Sequence, residues 1–159
     1  MKSKIAAAAT AASVLALGLA AAQSTGEVPY PEGYRDWHHV KSMLIEEGHP
    51  LFAAFGGIHH LYANDAALEG YRSGRFPDGA VIVFDLLEAV ADGNAVVEGE
   101  RKAIGAMHRD ARAYSQTGGW GFELFAGGRS GEHAGQGAAC FACHEAQAGP
   151  DFVFSEYRP

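Results

Sequence analysis

Cysteine is nearly absent from this 159-residue chain, which has two, Cys140 and Cys143. A pair two residues apart cannot staple distant segments, and a disulfide between them would be strained. A zinc site would need two more ligands at close spacing, and there is no second cysteine pair. A thioredoxin-like redox pair belongs beside a βαβ unit, and the pattern shows none. Basic residues are also few. Twelve Lys and Arg stand against 19 Asp and Glu, a formal net charge of −7, which leaves no basic patch for nucleic acid or anionic lipid. A bilayer-spanning run of roughly 20 apolar residues is missing too. The nearest approach is residues 5–19, an alanine-rich stretch behind Lys2 and Lys4 that ends at Ala20, Ala21 and Ala22. This is the pattern of a secretory signal peptide over residues 1–22, with a retained anchor as the alternative. Residues 23–159 are then expected to form one exported, periplasmic domain, free of the membrane once the signal is cut. A domain of that size builds a core without disulfides.

What the cysteines do is indicated by their surroundings. Residues 140–144 read Cys-Phe-Ala-Cys-His, the C-x-x-C-H attachment signature of c-type haem. On a helix, positions i and i+3 share a face and i+4 lies beside them. Cys140 and Cys143 can therefore form thioethers to the two porphyrin vinyl groups, and His144 reaches the iron from the same side. One covalent haem c is expected, with His144 as proximal ligand.

The second axial ligand separates a closed electron carrier from an open iron. Of the 15 residues after His144, none is Met or His, which excludes the arrangement with a downstream Met ligand. Met43 and Met107 lie upstream in apolar periodic segments and read as core. A four-helix cytochrome c′ needs helical periodicity throughout, and the chain lacks it.

The remaining pattern is mixed. Residues 36–47 place Trp37, Val40 and Leu44 on one stripe and predict an amphipathic helix stopped by Gly48. Residues 58–63 predict a strand, and Asn64 caps a short helix over 65–73. Phe76-Pro77-Asp78-Gly79 is a turn. Residues 80–87 form the strongest strand, apolar on both faces and so central. Strands are also expected over 102–108 and 120–125. A glycine-rich loop over 126–137 leads to the haem-binding helix at 138–146, and an edge strand is expected over 152–157. The charge run 98–102 reads as a solvated turn. The fold class is α+β: an antiparallel sheet with flanking helices and a C-terminal haem-binding helix.

The stretches YPEGYRDWHHVKSM, FGGIHHLYAND, GRFPDGAVIVFDL, TGGWGFELF, CFACH and DFVFSEYRP together resemble the cytochrome P-460 family, and within it the cytochrome c′-beta branch. They cover most of residues 23–159 in order. The resemblance implies a homodimer, a five-coordinate haem on His144 and an open distal side. The P-460 branch oxidises hydroxylamine and carries a lysine crosslinked to the porphyrin, expected in the strand after the F-x-D-G turn. That strand has no lysine, and Phe84 stands at the expected place. Lys41 and Lys102 read as solvated surface charges. Ala139 occupies the position expected for the distal glutamate of that branch. Both departures favour the c′-beta branch, whose distal face is capped by phenylalanines.

The resemblance assigns that cap to Phe55 and Phe84, with Phe52 the competitor for the first position. Apart from it, both read as ordinary core residues. Adjacent strand residues His59 and His60 point to opposite faces. Either could ligate the iron, although a hydrogen-bonded structural histidine is the commoner case. His38, His39, His49, His108 and His133 lie in polar or loop contexts and need no role. Three functions follow: a nitric oxide- and carbon monoxide-binding haem protein, a hydroxylamine-oxidising enzyme, or a six-coordinate electron carrier with a redox partner.

Overall fold

A computed structural model describes residues 27–158. The expected signal peptide, residues 1–22, lies outside them. Five strands form one antiparallel sheet in sequence order: β1 (His38–Ile45), β2 (Gly57–Ala63), β3 (Val81–Asp92), β4 (Ala95–Arg109) and β5 (Trp120–Ala126). Among the described residues three α-helices accompany it: α1 (Phe52–Phe55), α2 (Asp65–Ser73) and α3 (Gly137–His144). The α+β class and the C-terminal helix are as the sequence leads one to expect. Among the described residues no helix is long and apolar enough to cross a membrane.

β3 is the central strand because both its faces are apolar and both become buried. On one face Ile82 joins Ala63, Phe76, Trp120 and Phe122, and Ala67 of α2, Phe141 of α3 and Val153 pack onto this layer. On the other face Val83, Ile104, Ala106 and Phe125 pack under the N-terminal segment through Val28 and Tyr34. Asp85 lies in this second layer and is fully buried. Its carboxylate accepts from Tyr34 Oη at 2.7 Å and from Arg101 Nε at 2.6 Å. These bonds offset the cost of taking a charge out of water.

Four expectations need correction. Residues 36–47 form no helix, and β1 runs there instead, paired along its length with β2. A bulge shifts the register between His39 and Lys41. It turns Val40 inward out of step with a period of two, and Leu44, placed on the same stripe from sequence, is 38% exposed. The run 98–102 is not a turn, because it lies inside β4. The reversal falls at Gly93 and Asn94, between paired residues Asp92 and Ala95, with Gly93 at φ +62°. A two-residue Gly-Asn link of this kind is a hairpin signal. Residues 152–157 form no edge strand. Asp151 and Phe152 turn at φ +54° and +66°, and beyond them Ser155 Oγ meets Tyr71 Oη at 2.6 Å. Met43, expected in the core, is 40% exposed on the edge strand β1.

α2 is capped as expected. Asn64 Oδ1 accepts from Ala67 N at 2.9 Å and from Val81 N at 3.0 Å, which ties the helix start to the central strand.

Candidate functional site

α3 places Cys140, Cys143 and His144 within a little over one turn. Cys140 is half-buried against the first core layer, and Cys143 is exposed. Burial, reinforced by the nearby Glu123 carboxylate, pushes the Cys140 thiol up. The cysteine is thus held as a neutral thiol.

The His144 ring sits between Phe122, with centroids 4.9 Å apart, and Phe154, at 4.8 Å. Burial holds the imidazole below its ordinary pKa, so it is neutral, the form that ligates a metal. Its Nδ1 lies 2.7 Å from the carbonyl oxygen of Phe152. A carbonyl only accepts, so Nδ1 carries the proton and the lone pair is on Nε2. This is the outer bond that fixes the orientation of a metal-ligating histidine.

The segment that supplies the carbonyl is anchored from three sides. Trp120 Nε1 donates to Asp151 O at 2.9 Å, and Phe76 N donates to Asp151 Oδ2 at 2.9 Å. Tyr71 Oη and Ser155 Oγ lie 2.6 Å apart. The left-handed Asp151 and Phe152 are the only non-glycine residues at positive φ among those described. Such conformations cost of order 1–3 kcal/mol each and persist where the surroundings impose them. Gly118, at φ +65°, makes room: a Cβ there would lie 2.3 Å from the Phe152 ring.

Opposite this helix the sheet presents a half-exposed apolar surface. Ladder pairing aligns Leu61, Phe84, Gly105 and Leu124 across four strands, and all four are only partly buried. They lie on the side to which α3 packs. A Cβ on Gly105 would meet Phe84 at 3.4 Å and Leu124 at 3.9 Å, so the glycine leaves a notch between them. An open apolar floor beside a helix bearing two thiols and a neutral imidazole fits haem. Haem supplies an iron that takes small ligands or an electron. Cys140, Cys143 and His144 are the groups here that would hold it. Among the described residues no cluster of three or more His, Cys, Asp and Glu could hold a bare metal ion.

The two phenylalanines come together. Phe55, ending α1, and Phe84, on β3, meet edge-to-face with centroids 5.5 Å apart and planes at 76°. Phe52 is 42% exposed and lies in a cleft with Leu44, Val96 and Lys102. His59 lies beside Phe84, with centroids 4.6 Å apart. Its neighbour His60 faces the other way, with Nδ1 2.6 Å from Ser42 Oγ and Nε2 2.6 Å from Glu98. His133 is tied between Glu27 at 3.1 Å and Glu123 at 3.3 Å. Lys102, read from sequence as a solvated charge, donates from Nζ to the Gly56 carbonyl at 2.6 Å and so pins the end of α1 next to Phe55. The distant numbering of Lys102 and Gly56 hid that contact. The tie from Phe152 to His144 was equally hidden, because it depends on backbone angles.

The sheet, the helix and the open floor between them define a haem protein. The family model for Cytochrome P460 matches residues 31–155, and the chain belongs to that family. No curated protein matches the chain.

Proposed function

We propose that this protein is an exported mono-haem c-type cytochrome of the c′-beta branch. In this reading haem is attached through Cys140 and Cys143, with His144 beneath the iron. Phe55 and Phe84 cap the other side, and the ligands are nitric oxide and carbon monoxide. The observation that carries it is the Phe55–Phe84 pair, 5.5 Å apart on the floor that faces the haem-bearing helix. Phenylalanine offers neither an iron ligand nor a hydrogen-bond donor. Beneath such a cap, nitric oxide and carbon monoxide are favoured over dioxygen, which needs a polar partner. The rings must also shift for a ligand to arrive, which slows its arrival.

The spectrum of the resting ferric holoprotein tests the reading. High-spin, five-coordinate iron and a ferrous form that takes up carbon monoxide are expected. A low-spin resting spectrum overturns it in favour of the six-coordinate electron carrier. Hydroxylamine oxidation of the family kind requires a lysine bonded to the porphyrin. Peptide mapping should find thioethers at Cys140 and Cys143 and no haem on Lys41 or Lys102.

The same reading includes a homodimer. Its support is the apolar tip of the β3–β4 hairpin, where Val90, Val96 and Val97 are 41%, 50% and 40% exposed. Valines in such number on an arm that extends from the sheet suit contact with a second copy.

A further inference from the structure

His59 is a buried polar residue on the haem side of the sheet that the proposed site leaves unused. It pairs with Leu86 on β2–β3, one ladder step from the Leu61–Phe84 pair on the same face. It is 4% exposed, and its Nδ1 is buried with no hydrogen-bond partner among the described residues. Its cross-strand neighbours, Met43 and Leu86, offer none. His60 shows the contrast, since both of its ring nitrogens are engaged. A buried nitrogen left unpaired is costly to the fold, and its retention calls for an explanation.

The packing supplies one. The His59 ring lies tilted by 35° against Phe84, and Phe84 in turn meets Phe55. Across the cap the order is therefore Phe55, Phe84, His59. Burial, with Lys41 and His60 adding to it, keeps the imidazole neutral by pushing its pKa down to about 4. A neutral imidazole keeps one N–H to donate.

We propose that His59 is a gated hydrogen-bond donor of the ligand side, shielded by Phe84 at rest and reached by a small anionic ligand once that ring moves. This rests on the reading that the iron is open toward Phe84. The cap alone would turn away anions such as azide or nitrite, because it strips their water and returns no hydrogen bond. A donor behind it makes the site selective in two stages: nitric oxide and carbon monoxide need only the ring to move, and anions need His59 as well.

The test compares the wild-type holoprotein with His59→Leu and His59→Gln. Azide is titrated into the ferric form and carbon monoxide into the ferrous form, both followed optically. Leucine removes the donor, and glutamine restores one. Azide binding should weaken roughly tenfold in His59→Leu, the weight of one charge-assisted hydrogen bond. It should recover to within about threefold of wild type in His59→Gln, while carbon monoxide affinity changes by less than about twofold in either. Unchanged azide affinity in His59→Leu overturns the proposal. So does a parallel loss of both ligands, which would mark His59 as packing alone. If the wild type takes up no carbon monoxide, the open-iron reading fails and the proposal falls with it. If carbon monoxide binds and azide is indifferent to residue 59, only the proposal fails.

Discussion

Nδ1 of His144 donates to the carbonyl oxygen of Phe152 at 2.7 Å, and Phe152 holds that carbonyl in place from a left-handed backbone at φ +66°. The acceptor is thus a fixed part of the fold, eight residues beyond the histidine it orients. Four predictions follow from this and the other contacts.

Gly118→Ala strikes the support of that carbonyl. The added carbon would lie 2.3 Å from the Phe152 ring at a position already at φ +65°. The expected loss is about 1–3 kcal/mol of stability, measured by urea unfolding. The resting haem spectrum should also shift as the His144 ring loses its fixed orientation. Loss of stability with an unaltered spectrum would separate the turn from the ligand.

Phe84→Ala opens the cap while leaving the β3 backbone pairing to Leu61 and Gly105 in place. Carbon monoxide association after flash photolysis should accelerate by about tenfold or more, equivalent to some 1.4 kcal/mol of barrier. Phe55→Ala should act in the same direction. Rates unchanged in both would place the ligand path elsewhere.

Asp85→Asn removes the charge that Tyr34 and Arg101 are arranged around, and leaves the Arg101 guanidinium without its counter-ion. A cost of about 3–5 kcal/mol is expected, read as a lower denaturant midpoint. The carbon monoxide kinetics of the surviving folded protein should not change, since Asp85 faces away from α3.

Acid should destabilise the fold through His59. Its pKa is about 4 in the folded chain, against an ordinary 6.5. The unfolded chain therefore takes the proton first. Stability is intact above pH 6.5 and declines as pH falls toward 4. Between pH 7 and pH 5 this group should remove about 1–2 kcal/mol. Urea unfolding of the wild type at the two pH values should show that loss. His59→Gln should show a smaller one, the remainder coming from other groups.

The strands with apolar periodicity were legible. The core of β3, the whole of α2 with its Asn64 cap, β5 and the helix of the C-x-x-C-H motif stand close to where the pattern puts them. β1 was misread because a single bulge at Val40 breaks the alternation. The outer parts of β3 and β4 were missed because the hairpin tip is exposed on both faces and carries charges, although Gly93-Asn94 marked the reversal. The motif named Cys140, Cys143 and His144 directly. Phe55 and Phe84 came from resemblance, and their contact is visible only once β2 and β3 are paired. Phe152, Lys102 and the solitary nitrogen of His59 had no local signal. Each acquires its place through a residue far away in the chain or through a backbone angle.

Phe84 and Asp85 are consecutive, yet one looks toward α3 and the other, fully buried, pairs with Tyr34 and Arg101 beneath the sheet. The strand thereby separates what must be kept from what is free to vary. Descendants of this chain could exchange residue 84, the one partly exposed position on that face of the strand's core, to suit another guest while inheriting the buried residues 82, 83, 85 and 86 intact. Family members with different chemistries should differ at this position more than at its buried neighbours.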